Sequence, residues 1–350
     1  MVQETGDSRN IQKIQEIKSR LGKSLLILAH HYQRKEIVEL GDYSGDSFEL
    51  SRKAAGDSDA RFIVFCGVHF MAESAEILSQ AHQTVQIPDA EAGCWMADMA
   101  DIYLVRQVWE TIAETIRDVS ICPIVYMNSD AHLKAFCGSR GGTVCTSSNA
   151  ETAFRWGRKR FDKIFFFPDQ HLGRNTGNRL GVPPEEMIVW NPHKPFGGNS
   201  PEQIRAAKII LWDGHCLVHT RFNCDQMVKM RDRFPEAKII VHPECTQEVV
   251  AAADAVGSTG AIVNYVDGAP AGSTIIIGTE THLIQRLALE YPDKKILELH
   301  HSLCPNMYKI NLENLCRTLE GVGEVNRVTV SENVKEDARK ALDRMLALAP

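Results

Sequence analysis

Short runs of Ile, Val, Leu and Phe recur along the chain, each breaking off into polar residues, and segments with apolar residues at helical spacing separate them. The runs predict strands at 24–32 ("SLLILAHHY"), 61–67, 84–90, 122–130 ("CPIVYMNSD"), 143–150, 163–173, 238–244 ("KIIVHPE"), 255–262 and 273–280. Between them, "DSFELSRKAAG" offers Asp46 as a cap and Gly56 as a stop, and "SPEQIRAAKII" carries Ser200, Pro201 and Gln203 in capping-box order. Near the N-terminus Ile11, Ile14, Ile17 and Leu21 mark one more helix, ended by Gly22. Apolar strands alternating with helices predict parallel sheets buried on both faces.

The nine strands group in threes. The first strand of each group ends in two polar residues spaced by two: His30 and Tyr32, Tyr126 and Asn128, His242 and Glu244. The second strand leads to a small residue near a helix start: Gly67, Ser147 and Thr259. After the third, at some distance, comes a cysteine: Cys94, Cys216 and Cys304. The middle unit is the longest, and its excess over 170–200, rich in Gly, Pro and Asn, reads as loops and one short helix. Ligands of parallel sheets sit beyond the carboxyl ends of the strands. Three units facing inward would therefore bring the polar pairs and the three thiols to one axis. An ordinary run of βα units would also show this spacing.

Length and charge narrow the possibilities. A chain of 350 residues exceeds what one hydrophobic core usually serves, and a net charge of −6 argues against a nucleic acid or anionic membrane as the main partner. No apolar run is long enough to span a bilayer, and the N-terminal stretch lacks a signal-peptide core, so a cytoplasmic location is expected. In that compartment the ten cysteines do not form a disulfide framework, and the absence of any C-x-x-C excludes a local zinc or redox motif.

Together, "ILAHHYQ", "GDSFELSR", "CGVHFMAESAEIL", "AGCWMADM", "YMNSDAHLKA", "TSSNA", "FFPDQHLGRNTG", "WDGHCLVH", "VHPE", "ADAVGSTGAI" and "CPNMYKIN" resemble the quinolinate synthase (quinolinate synthetase A) family over almost the whole chain. The resemblance implies three homologous three-layer α/β/α domains with parallel sheets about a pseudo-threefold axis. The expected organisation is an N-terminal helix over 1–22, α/β units over 23–104, 105–222 (with the long insertion) and 223–305, and a helical segment over 306–350. It also implies a 4Fe–4S cluster held by Cys94, Cys216 and Cys304. Some relatives carry C-x-x-C-x-x-C around the last ligand, but "HHSLCPNM" keeps only its final cysteine. The implied reaction condenses iminoaspartate (iminosuccinate) with dihydroxyacetone phosphate into quinolinate, releasing phosphate and water, for NAD biosynthesis. Three thiolates leave one iron open as a Lewis acid. L-aspartate oxidase is the expected supplier of the unstable imine.

Within that frame Glu244 is the expected general base, its pKa raised by burial, with His242 beside it holding substrate or sharing the proton. His30 and Tyr32 suit binding and acid catalysis, and Tyr126 and Asn128 suit a planar dicarboxylate. The resemblance places Ser47, Ser147 and Thr259 against substrate, where hydroxyls and helix-start N–H groups grip anionic oxygens. Cys245 should face away from Glu244, Cys66, Cys122, Cys137 and Cys145 should be buried filler, and Cys224 and Cys316 should pack on helices. His31 should turn away from the site, His171 and His193 lie in the long insertion that could cover it, and Met71 and Met96 flank it. A mononuclear zinc hydrolase and a non-catalytic iron–sulfur sensor are the competing readings.

Overall fold

The computed structural model describes residues 6–56 and 59–348, so the outer bounds expected at 1 and 350 lie outside the described residues. Three parallel sheets organise the chain. The first contains Leu25–His30 (β1), Tyr43–Gly45 (β2), Phe62–Cys66 (β3) and Thr84–Gln86 (β4), in the order β2-β1-β3-β4. The second contains Ile121–Tyr126 (β5), Thr143–Cys145 (β6), Lys163–Phe167 (β7), Met187–Trp190 (β8) and Ile209–Trp212 (β9), in the order β6-β5-β7-β9-β8. The third contains Lys238–Val241 (β10), Ala255–Val256 (β11), Thr274–Gly278 (β12) and Lys295–Glu298 (β13), in the order β11-β10-β12-β13. Apart from β8, the three orders are identical. The fold is therefore three α/β/α layers repeated about a pseudo-threefold axis.

The repeat has four strands where the apolar runs suggested three. β2 is three residues long with two exposed, too short and too polar to register as a run. Its place in the first unit is that of β6 and β11, so the residue matching Ser147 and Thr259 is Ser47, which follows β2, and not Gly67, which follows β3. The insertion 170–200 holds a ten-residue helix and the edge strand β8 rather than loops and one short helix. The helix begun by Ser200 stops at Ala206, and Ile209 and Ile210, read as its end, belong to β9. Each cysteine accordingly follows a fourth strand: β4, β9 or β13.

Strands β1, β5 and β7 are buried throughout, and β3, β10 and β12 are buried beyond their first residue, as sheets covered on both faces require. The first two units share one continuous core, while the third has a separate core on each face of its sheet. Helix Glu332–Ala347 crosses the joint between the first two units. Its Lys335 pairs with Glu76 at 3.0 Å, and its Arg339 donates to the Ser79 carbonyl at 2.9 Å. It lies so close to helix Ala131–Ser139 that a Cβ on Gly138 would stand 1.8 Å from the Asp337 carbonyl oxygen. Gly138→Ala should therefore lower the unfolding free energy by about 1–3 kcal/mol. Gly56→Ala, where a Cβ meets open space, should change it little. Urea unfolding of the metal-free chain measures both.

Candidate functional site

The order β2-β1-β3-β4 places the crevice of each sheet at the carboxyl end of its first strand. His30 and Tyr126 are the last residues of β1 and β5, and His242 follows β10 directly. In the first and third units the chain then turns the same way. The Tyr32 N–H donates to His30 Nδ1 at 3.2 Å, and the Glu244 N–H donates to His242 Nδ1 at 3.4 Å. A ring nitrogen that accepts carries no proton, so Nε2 bears it in both rings. Burial, reinforced by neighbouring histidines, brings both imidazoles down to about 3. They are neutral hydrogen-bond donors.

The second strands lead to Ser47, Ser147 and Thr259, each at or just before the first turn of a helix. Asp46 caps its helix by accepting from the Phe48 and Glu49 N–H groups, and its other oxygen accepts from the Ser148 hydroxyl of the second unit. Asn149 holds the Thr146–Ser147 turn from the other side. Its Oδ1 accepts from the Thr146 N–H at 2.8 Å, while its Nδ2 donates to the Leu348 carbonyl at 3.0 Å.

The fourth strands deliver the cysteines. Cys94 and Cys304 each precede a one-turn helix, Trp95–Asp98 and Pro305–Tyr308, whose backbone N–H groups face the sulfur. Burial pushes the Cys94 thiol up to about 12 and Cys304 to about 11, and Cys216 also lies well above the ordinary range. All three line one cavity, and as thiolates each would repel the other two. Three neighbouring thiols with backbone donors aimed at two of them are poor as free acids and well suited to a cationic centre that displaces their protons to solvent. The donor set fits an iron–sulfur cluster.

Glu244 lies between the units and is 2% exposed. It accepts from the Tyr126 hydroxyl and, at 2.9 Å, from His219 Nδ1. His219 Nε2 meets Thr279 Oγ1 at 3.2 Å, Thr279 meets the Tyr32 hydroxyl at 2.8 Å, and Thr259 donates to Tyr32 at 3.1 Å. With a neutral His219 donating from Nδ1, every bond in this chain has a consistent direction ending on Glu244. Burial alone would raise the Glu244 carboxyl, but the adjacent imidazoles and the hydrogen bonds from His219 and the Tyr126 hydroxyl outweigh it and hold it below the ordinary carboxylate range. The expectation of a raised carboxylate is thus reversed, because its partners come from segments distant in sequence. Asp169, fully buried nearby, moves the other way through burial and the Glu244 charge. Tyr32 and Tyr126 are held protonated, first by burial.

One cavity gathers all of this, with about 70 Å³ of room for the centres of water-sized molecules. A single water needs only ~10–15 Å³. His30, Tyr32, Ser47, Tyr126, Asn128, Ser147, His242, Glu244 and Thr259 line it together with Cys94, Cys216 and Cys304. His219 also lines it, and sequence reasoning gave this residue no role. Its signal was the spacing Cys216-x-x-His219, which puts the ring on the same turn as the thiol. Thr279 was missed as well. Met71 lines the cavity, whereas Met96 is packed in the core beside it.

Other candidates lie elsewhere. Cys245 is buried in the third unit's core, and Cys66, Cys122, Cys137 and Cys145 fill the shared core of the first two. Cys224 begins helix Cys224–Arg233 and Cys316 lies within Leu312–Glu320. His31 faces Arg286 Nη2 at 3.1 Å. In the insertion, His171 packs near His215 with ring centres 6.3 Å apart, and His193 and Lys194 border a surface hollow beside Trp190. Arg174 reaches towards the Met187 carbonyl.

The sequence matches a family profile described as quinolinate synthetase A protein over residues 12–347. It is 46% identical to the quinolinate synthase of Corynebacterium glutamicum, covering 99% of this chain and 90% of that protein. It is 49% identical to that of Streptomyces coelicolor, covering 95% and 86% respectively. The quinolinate synthase of Acidobacterium capsulatum is 48% identical, over 96% of this chain and 92% of its own.

His30, His31 and His242 are all held neutral down to about 3, whereas an unfolded histidine takes up its proton near 6.5. Below pH 6.5 the unfolded chain therefore binds protons that the folded chain refuses. Their contribution is complete above that pH and is lost on descent towards 3, by up to about 1.4 kcal/mol per pH unit for each ring. Glu244, with its pKa depressed, adds acid lability only below the ordinary carboxylate range. Urea unfolding of the metal-free chain at pH 7.5, 6.0 and 5.0 should show this slope, and His31→Asn should make it shallower.

Proposed function

The chain belongs to the quinolinate synthetase A protein family, and on that footing we propose that it forms quinolinate for NAD biosynthesis by condensing iminoaspartate (iminosuccinate) with dihydroxyacetone phosphate, releasing phosphate and water. The observation that carries the proposal is that Cys94, Cys216 and Cys304, one from each unit, line the cavity where the hydrogen-bond chain ends on Glu244. Cys94, Cys216 and Cys304 would hold a 4Fe–4S cluster, which supplies a Lewis acid through an iron that no protein thiolate occupies. The enzyme is then a transferase of condensing type with dehydratase chemistry. It acts in the cytoplasm, and L-aspartate oxidase supplies its imine. Its domains are the units 23–104, 105–222 and 223–305, flanked by the terminal helical segments.

The residues divide the remaining work. Ser47, Ser147 and Thr259 grip carboxylate or phosphate oxygens with their hydroxyls and the adjoining helix-start N–H groups. His30 and His242 donate from Nε2 to substrate oxygens, and Asn128 offers an amide to a planar dicarboxylate. Tyr32, kept protonated, gives its proton to a carbonyl or departing oxygen once His219 has been protonated, and regains one from that ring through Thr279. Ionised Glu244 polarises the Nδ1–H of His219, which leaves Nε2 able to take a proton relayed through Thr279. Glu244 thus acts as a base through His219, while Tyr126 holds the carboxylate in place.

A single metal ion is the second reading. Cys216, His219 and Glu244 offer donor atoms within 4.8 Å of one another, a spacing that suits zinc. Both oxygens of Glu244 and both nitrogens of His219 already have partners, however, which leaves only the thiol of that trio uncommitted. Anaerobic purification separates the readings. About four irons and four sulfides per chain, with brown absorbance, are expected, while one zinc in a colourless protein would end the proposal. Glu244→Gln should keep the iron and lose at least ~10²-fold in quinolinate formation from the two substrates. Full activity in that variant would remove Glu244 from the chemistry.

A further inference from the structure

The three cysteine loops share an anchor. In every unit a ten-residue helix follows the third strand of the repeat: His69–Leu78 after β3, Gln170–Arg179 after β7 and Thr281–Glu290 after β12. Its first N–H donates to the carbonyl two residues before the cysteine. His69 reaches Ala92 at 2.7 Å, Gln170 reaches Gly214 at 2.9 Å, and Thr281 reaches Ser302 at 3.0 Å. The residue just before the helix is where the units differ. It is Val68 in the first, Asp169 in the second and Glu280 in the third.

Both acids are fully buried. Glu280 Oε2 accepts from the His282 N–H at 2.8 Å, and Oε1 accepts from the Cys304 N–H at 3.2 Å. Asp169 Oδ1 accepts from the Leu172 N–H at 2.7 Å, and its Oδ2 is buried on the cysteine loop's side of the helix start, without a hydrogen-bond partner among the described residues. Burying a carboxylate costs several kcal/mol unless its partners compensate, and the helix itself does not require one. The first unit shows this, because its helix starts on Val68 with no side-chain cap. Glu280 has what a smaller neutral cap lacks: a second oxygen that reaches across to the cysteine.

We propose that Glu280, with Asp169 as its counterpart, is a positioning residue that fixes the backbone of Cys304 so that its sulfur meets the other two. The inference rests on the reading that the three thiols hold an iron–sulfur cluster. Glu280→Gln keeps one acceptor for the Cys304 N–H but turns its amide N–H2 towards the His282 N–H, whereas Glu280→Asp keeps both acceptors and withdraws them by one methylene.

The test measures iron per chain after anaerobic purification, the rate at which a chelator removes it, and the unfolding midpoint of each metal-free variant. Glu280→Asp and Glu280→Ala should lose iron about 10-fold faster than the unaltered chain, with metal-free midpoints close to the unaltered one. Equal release from Glu280→Asp and the unaltered chain would overturn the proposal. The Asp variant decides the matter even if Glu280→Ala does not fold. An unaltered chain that holds no iron would instead refute the cluster reading beneath it.

Discussion

A carboxylate removed from water must be matched inside the protein, and Glu244 is matched across unit boundaries. Its two oxygens take a hydroxyl from the end of the second unit's first strand and an imidazole from that unit's cysteine loop. Neither partner is local in sequence, and neither belongs to the sheet that presents Glu244. Removing either would leave a buried charge short of a partner, which is far more costly than losing an exposed ion pair. The seam between the second and third units is therefore defined chemically as well as by packing. Through Thr279, Tyr32 and Thr259 the same network joins the first unit to the third.

Repetition explains how so many polar groups reach one place. Each sheet supplies a polar strand end, a hydroxyl at a helix start and a thiol on the loop after its fourth strand. The units have diverged at matching positions, and the divergence supplies different chemistry. The first strands end in His and Tyr, in Tyr and Asn, or in His and Glu. The result is neutral imidazoles and protonated phenols, kept so first by burial, around one carboxylate that its partners keep ionised against burial.

Much of the cavity was legible because buried strands leave strong apolar runs, and the residues that end such runs are easy to find. The pairs at His30, Tyr126 and His242 followed from that signal, as did the threefold spacing of the cysteines. β2 was hidden by its brevity, and its absence misaligned Gly67 with Ser147 and Thr259. β9 was hidden because "KII" continues the periodicity of the helix before it, and only the Trp212 end looks like a strand. The charge state of Glu244 was beyond reach for a different reason. Burial can be inferred from position, but the groups that offset it, Tyr126 and His219, lie 118 and 25 residues away and meet it only in the fold.

The three sulfurs come from three separately formed sheets, and the third sheet has cores of its own. The cavity that gathers them therefore has one wall from each sheet, and a distortion in any unit, however remote, changes how its thiol stands against the other two.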